Sequence, residues 1–398
     1  MSYPTYDPMS GTRTAGPHPM LTIHYQDPHE GWEGILVVDR LVNGCAIGGC
    51  RMTETVTLEE VVRLARGMTR KNRMLDLGIG GGKTGIRYDP TSPHKKRILK
   101  TFFSYVRSVV ESMYGFGPDM NTSGQEMDEI AEAVGLQWRL QAAARGDVEG
   151  ARHRYDSALA LPWGPFTVGA GRTGYGAAVA AATAVDFLDM QAPLRVSVHG
   201  FGHVGSGAAW ELTNRGHVIT CVADEGGAYF SPDGFAVESV LASKGGPRAH
   251  IQLDGLGPGV TCGQPMDALF TDCDILVLAA IPDVITVDNA HAVKARIVVE
   301  PANISVMPEA AEALYQRGTI VIPDYIASAA AITLAAGTIQ GWLCHDDTER
   351  LLQQLGDKMA NVTHRALVAS HHTQSPIHRS FTPDLAVYDP SGIITIPP

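Results

Sequence analysis

Leu194-Arg195-Val196-Ser197-Val198-His199-Gly200-Phe201-Gly202-His203-Val204-Gly205 sets a short apolar run directly before a glycine pattern. Leu194 to His199 reads as a short buried strand, and a helical pattern runs from about Val204 to Arg215. His217 to Ala223 reads as a second strand, which ends in Asp224. A GxGxxG pattern alone is weak. A strand before it, a helix after it, and a second strand closing on an acid make it specific. Further strand candidates are Ile275–Leu278, Ile297–Val299 and Ile320–Ile322, with helical segments between them. This alternation predicts a doubly wound parallel sheet.

Within that unit each glycine has a separate task. Gly200 makes the tight turn, and Gly205 permits close packing of helix on strand. Gly202 lets backbone N–H groups, those of His203 and Val204 among them, approach a pyrophosphate at the helix N-terminus. Asp224, nineteen residues past Gly205, is placed to accept hydrogen bonds from adenosine hydroxyls and to repel a 2′-phosphate, and no arginine follows at once. NAD is therefore expected rather than NADP. The bland alternative is a glycine turn with no ligand.

Upstream lies a second glycine run, Leu75-Asp76-Leu77-Gly78-Ile79-Gly80-Gly81-Gly82-Lys83-Thr84-Gly85-Ile86, with Lys71 twelve residues before Lys83. Its apolar flanks suggest a tethered loop between ordered elements. A lone glycine-flanked lysine is most simply a solvated one. Before the run, Thr57-Leu58-Glu59-Glu60 reads as a capping box for a helix whose end delivers Lys71. Gly34–Asp39 and Cys45–Arg51 read as strands, Pro93–Met113 and Gly124–Val134 as helices, and 137–165 as an insertion or helical excursion. Gly117-Pro118-Asp119-Met120-Asn121-Thr122-Ser123 brings an aspartate to a helix start. An alanine-rich helix runs from Gly169 to about Leu188, and the chain is helical again from Ser328 to Ala369.

The bulk properties narrow the class. With 398 residues, two or three domains are expected. The net charge of -11 and pI of about 5.7 disfavour nucleic acid or an anionic membrane as main partner. The six cysteines form no CxxC pair and have no histidine at ligand spacing, so neither a metal site nor a disulfide framework is expected. Residues 1–19 have the composition of a disordered tail without the apolar core of a signal peptide, and no apolar run approaches eighteen residues. A cytoplasmic protein is expected.

Lys71, Lys83 and Asp119 together suit the chemistry of an amino acid and its imino or keto form. One lysine can hold an α-carboxylate as a point charge. The other can lower its pKa in a closed cationic cleft and polarise water, while a carboxylate near the substrate nitrogen moves protons.

Here the sequence resembles the glutamate/leucine/phenylalanine/valine dehydrogenase superfamily, nearest its leucine/phenylalanine/valine branch, over about residues 33–345. The segments that carry the likeness are Met68–Asn72, the GGGK-TGI run, Pro118–Thr122, Arg172-Thr173-Gly174-Tyr175-Gly176, Asp274–Ala280, Pro301-Ala302-Asn303 and Pro323-Asp324-Tyr325. The resemblance implies that Lys71 binds the substrate α-carboxylate near the Gly48-Gly49 backbone. Lys83, with lowered pKa, activates the water that attacks the imine, and Asp119 moves protons to and from the nitrogen. Residues 172–176 are implied as the linker into the nucleotide domain. Thr173, Ala279, Ala280 and Asn303 are implied on the cofactor side.

Glutamate enzymes of the superfamily bind the side-chain carboxylate with a lysine and a serine. The matching positions here are Ile47 and Ala335, and neither can pair a carboxylate. An apolar substrate, aromatic or branched-chain, is expected. Ser328-Ala329-Ala330-Ala331 stands where the family usually has Asn-Ala-Gly-Gly, so Ser328 is a candidate substrate contact, and the added methyls are expected to crowd the cleft. The expected architecture is α/β with two domains: an N-terminal α/β substrate domain of dimerisation type (20–172) and a Rossmann NAD-binding domain (173–327), with C-terminal helices (328–398) returning to the first. The expected activity is NAD-dependent oxidative deamination of an apolar L-amino acid by a homo-oligomer. The alternative is a catalytically weak NAD-binding regulatory protein on the same scaffold.

Overall fold

The structure is a computed structural model and describes residues 18–244 and 249–381. The chain forms two compact units that divide between Val148 and Glu149.

The first unit is built on a five-stranded sheet. Strand β1 (Leu21–Gln26) pairs antiparallel with β2 (Glu33–Arg40). β3 (Ala46–Thr53) leads into helix α1 (Leu58–Met74), which returns as β4 (Gly80–Arg87). Helices α2 (Lys95–Tyr105) and α3 (Arg107–Ser112) precede β5 (Tyr114–Pro118), and α4 (Gly124–Ala133) and α5 (Gln141–Ala144) follow it. The sheet order is β1-β2-β4-β3-β5, with β3 parallel to both β4 and β5. Alternate residues of β2 feed two cores. Leu36 and Val38 join Phe102, Phe103, Tyr114 and Phe116 on one face, while Ile35 and Val37 join Val56, Val61 and Ala65 of the α1 side on the other.

Three local readings change. The glycine run is not a loop: it is the central strand β4, bonded to β2 and β3. Its glycines answer to crowding, since a Cβ on Gly80 would lie 1.9 Å from Arg40 O and one on Gly81 2.1 Å from Thr69 N. The helix expected over 93–113 is broken at Val106 into α2 and α3. The capping box at 57–60 is half made. Thr57 accepts from the Glu60 N–H, but the Glu60 carboxylate turns to Arg51 instead of back to Thr57.

The second unit opens with α6 (Val148–Ala160), the short pair β6 (Pro162–Trp163) and β7 (Phe166–Thr167), and α7 (Val168–Phe187). Then come β8 (Arg195–His199), α8 (His203–Asn214), β9 (Val218–Asp224), β10 (Gly227–Phe230), α9 (Val237–Ser243), β11 (Thr261–Gly263) and β12 (Ile275–Leu278). The unit closes with β13 (Ile297–Val299), α10 (Pro308–Gln316), β14 (Ile320–Ile322), α11 (Asp324–Ala327), α12 (Ala330–Gln340), α13 (Thr348–Thr373) and α14 (Ile377–Ser380). The sheet order is β11-β10-β9-β8-β12-β13-β14. The five strands β9-β8-β12-β13-β14 are parallel, as expected from their apolar runs. β10 and β11 add an antiparallel edge that the sequence reading did not contain.

The boundary expected at 172/173 falls earlier, and Arg172–Gly176 lies inside α7 rather than in a linker. The reason is packing. Arg154 on α6 donates to Thr338 O and Ile339 O at the end of α12, each at 2.9 Å, which binds 149–172 to the second unit. The C-terminal helices likewise pack on α7 of that unit: Tyr175 donates to Leu352 O at 2.6 Å, and Gly356 of α13 leaves room for the Tyr175 ring. Residues 1–17 of the expected tail and 382–398 of the expected C-terminal segment lie outside the described residues. Among the described residues, no helix is long and apolar enough to cross a membrane.

Candidate active site

Lys83 lies in the middle of β4 with glycines on either side. A Cβ on Gly81 or Gly85 would strike Thr69 or Val61 on the α1 face, so Lys83, with the same parity, projects to that face. On β3, Gly49 shares the face. A Cβ there would lie 2.9 Å from the Asp119 Cβ and 3.4 Å from Lys83 Nζ. The absence of a side chain at Gly49 thus lets the two charged groups meet over the strand. Gly48 faces the other way, where a Cβ would lie 1.9 Å from Gly82 O.

Asp119 follows β5 in a turn fixed to β3. Thr122 Oγ1 donates to Cys50 O at 2.7 Å and accepts from Asp119 N at 3.0 Å. Asn121, at φ 61, donates to Met52 O at 3.0 Å. Ser123 then caps α4 with a complete capping box to Glu126. The outcome is an ion pair of Lys83 Nζ with Asp119 Oδ2 at 2.9 Å. Arg51 Nε reaches the same oxygen at 2.7 Å, and its other arm meets Glu60 Oε1 of α1 at 2.5 Å.

Burial alone would raise the Asp119 pKa, but the charges of Lys83 and Arg51 outweigh it and take the carboxyl down to about 2. Asp119 is therefore an anion at every ordinary working pH. Arg51 is absent from the sequence reading. The one local signal is parity: Gly49-x-Arg51 on a strand puts the arginine on the face of Gly49, without naming its partner.

Lys71 sits in the last turn of α1, half-buried, in the same unit. The residues around it are pinned: Thr69 donates to Asp39 Oδ2 at 2.6 Å and Asn72 to Gly80 O at 2.7 Å, three residues ahead of Lys83. Ile47 is 4% exposed, and its Cγ1 and Leu140 Cδ2 crowd Gly115, at 3.3 and 3.2 Å from where a Cβ there would stand. Ser328 and Ala335 belong to the second unit. Ser328 Oγ donates to Asp324 O at 2.7 Å, and Ala335 is buried on α12. The Ala330 methyl that was expected to crowd the cleft is fully buried, at 2.5 Å from where a Cβ on Gly176 would stand. A glycine on α7 makes room for it.

The cofactor candidates gather at the C-terminal ends of parallel strands. Gly200 has φ 98, and a Cβ on it would lie 2.6 Å from the backbone of Ala279 and Ala280, which follow β12. This is the point between β8 and β12 where the strand order reverses. A Cβ on Gly205 would lie 1.8 Å from Gly200 O, whereas one on Gly202, the N-cap of α8, would meet nothing within 4 Å. An open, side-chain-free helix N-terminus fits a dinucleotide's pyrophosphate. His203 and Ala280 are exposed beside it and Val204 is half-buried, while Asn303, also exposed, follows β13. Thr173 lies half-buried on α7, whose Gly174 packs against the backbone of α8. Asp224 ends β9, and its two oxygens accept from Gly226 N at 2.9 Å and Ile251 N at 2.7 Å. No cluster suited to a metal ion occurs among the described residues.

Two family models match nearly the whole of this arrangement. Residues 19–135 match the Glu/Leu/Phe/Val dehydrogenase dimerisation domain, and 167–382 match Glutamate/Leucine/Phenylalanine/Valine dehydrogenase. The chain belongs to this family. Its members are amino acid dehydrogenases, oxidoreductases of the CH–NH2 group that use a nicotinamide cofactor. The segment read as an excursion falls between the two matches. Curated relatives of high similarity include several glutamate dehydrogenases. The chain is 32% identical over 325 residues to glutamate dehydrogenase of Thermotoga maritima, covering 79% of this chain and 74% of that one. It is 33% identical over 335 residues to the NADP-specific glutamate dehydrogenase of Saccharolobus shibatae, covering 79% and 73%. It is 32% identical over 294 residues to the NAD-specific glutamate dehydrogenase of Staphylococcus aureus, covering 72% and 67%. These relatives do not carry the expected nearness to the leucine/phenylalanine/valine branch. Among solved structures, a hetero-hexameric glutamate dehydrogenase from Thermus thermophilus aligns with TM-score 0.72 at 23% identity, covering 91% of this chain and 86% of that one. L-tryptophan dehydrogenase from Nostoc punctiforme aligns with TM-score 0.62 at 17% identity, covering 91% and 93%. Both likenesses are of fold.

Proposed function

We propose that this family member is a homo-oligomeric, NAD-dependent dehydrogenase of an apolar L-amino acid, aromatic or branched-chain. The observation that carries the reaction is the buried Lys83–Asp119 pair at 2.9 Å over Gly49. A dinucleotide held at Gly200, Gly202, Gly205 and Asp224 supplies the acceptor for the hydride that leaves the substrate Cα. The Lys71 ammonium pairs with the α-carboxylate. Asp119 takes a proton from the amino group as the imine forms. Lys83 orients and polarises the water whose oxygen bonds to the imine carbon. As the carbonyl forms and the C–N bond breaks, the proton that Asp119 took and the two protons of the water pass to the nitrogen, which leaves as ammonium while the carbon becomes the 2-oxo acid.

The substrate class is argued from Ile47, buried against apolar neighbours where a glutamate enzyme needs a cation. Leaving an ionised carboxylate unpaired there costs several kcal/mol even after relaxation of the site. Glutamate is the second reading, favoured by the names of the relatives. The regulatory alternative drew on the Ser328–Ala331 departure, and the burial of the Ala330 methyl against Gly176 removes part of its motive. The test is NADH or NADPH formation across the twenty L-amino acids in alkaline buffer. A response to apolar amino acids with NAD supports the proposal. Turnover of glutamate alone, or silence on all twenty with NAD binding intact, sinks it.

A further inference from the structure

The Asp119 carboxylate is held unevenly. Both cations, Arg51 Nε at 2.7 Å and Lys83 Nζ at 2.9 Å, sit on Oδ2. Oδ1 takes no hydrogen bond from the described residues. A carboxylate rotating about its last bond would exchange its oxygens, and a double clamp on one of them stops this. Arg51 suits the task because its guanidinium is a rigid fork. One edge meets Asp119, and NH1 is anchored on Glu60 of α1, the helix that carries Lys71. Arg51 is 6% exposed, so this is a buried, charge-assisted network and not a surface pair.

We propose that Arg51 is a positioning residue for Asp119: by holding Oδ2 beside Lys83, it leaves Oδ1 as the oxygen that exchanges protons with the substrate nitrogen. This rests on the reading of Asp119 as the proton-transfer group. The groups in contact with the Asp119 carboxylate are Lys83 from β4 and Arg51 from β3, while the Cys50 thiol of β3 and the Tyr114 hydroxyl of β5 feel its charge from the other face of the sheet. Glu60 acts through Arg51, and Lys95 and Glu126 face Cys50 behind it. Arg51 and Lys83 are the two cations that keep Asp119 ionised, so losing Arg51 moves the titration of Asp119 upward.

The experiment is the pH dependence of kcat/KM for Arg51→Met, Arg51→Lys and Asp119→Asn in the full-length protein, with NAD binding measured by fluorescence as the check of fold. For Arg51→Met the expected result is an acid limb that rises into the working pH range, where the wild type shows none from Asp119, and kcat lowered at least about tenfold, with NAD affinity retained. Arg51→Lys keeps the charge but not the fork, so its limb moves less while kcat still falls. A purely structural role would leave the limb of the surviving enzyme in place. An unmoved limb and wild-type kcat in Arg51→Lys, or an unmoved limb in folded Arg51→Met, overturns the proposal. Wild-type kcat in Asp119→Asn overturns it together with the reading beneath it. Collapse of Asp119→Asn with unmoved Arg51 variants overturns the role of Arg51 alone.

Discussion

Two opposed forces act on Asp119: burial, which favours the neutral acid, and the charges of Lys83 and Arg51, which favour the anion and prevail. The sign of the consequence follows from linkage. An unfolded aspartate titrates near 3.9, and this one titrates at about 2 in the folded protein. Its stabilisation, about 2.5 kcal/mol, is complete above about pH 4 and is lost as the pH falls through about 2. The melting temperatures of wild type and Asp119→Asn should therefore differ most at pH 6, by roughly half as much at pH 3, and converge only below about pH 2. A gap that stays constant over that range would contradict the ion pair. Lys83 and Asp119 were legible in the sequence because each sits in an unusual local context, a glycine run and a Pro-Asp turn before a helix cap. Arg51 was not. A single arginine on a strand looks like any solvated charge, and its meaning comes from Asp119, sixty-eight residues further along the chain.

Among the elements, β4 is the clearest case of right residues and wrong shape. A glycine run reads as a loop because glycine usually signals turning. Here it signals contact, with backbone, Thr69, Tyr114 and Val61 all pressed close to the strand. Local sequence holds no record of what will lie against it. The two strands of the antiparallel edge escaped for a similar reason, since β11 is three residues long and depends on β10 for its partner. The meeting of α7 and α12 makes a quantitative test possible. Gly176→Ala puts a methyl 2.5 Å from the Ala330 Cβ, so it should cost about 1–3 kcal/mol by overpacking. Adding Ala330→Gly should recover most of that, less the roughly 1 kcal/mol that glycine costs in a helix. Denaturant unfolding of the two variants reads the difference. If the double variant is no more stable than the single one, the two positions are not complementary.

For the molecule as a whole, the parallel sheet was legible because buried strands are apolar runs and the helices between them are patterned. The boundary was not, since residues 149–172 are assigned to the second unit by contacts made with the far end of α12. The cofactor candidates Gly200–Gly205, Asp224, Ala279, Ala280 and Asn303 all lie in that second unit. Calorimetry should therefore find NAD acting on the transition of that unit. At a hundred times its dissociation constant, NAD should add about 2.7 kcal/mol there. NAD that leaves every transition unmoved would argue against these residues as its site.

The crowding around β4 has a consequence for how such a protein can diversify. Gly80, Gly81, Gly82 and Gly85 each lack space for even a methyl group. The strand bearing Lys83 is therefore closed to substitution, and a new substrate preference has to be written elsewhere. Across the sheet, Gly81 lies in register with Ile47, whose side chain crowds Gly115 together with that of Leu140, from a segment that neither family model covers. A mutant library aimed at altered selectivity belongs at Ile47 and Leu140. One spread along β4 would return mostly unfolded chains.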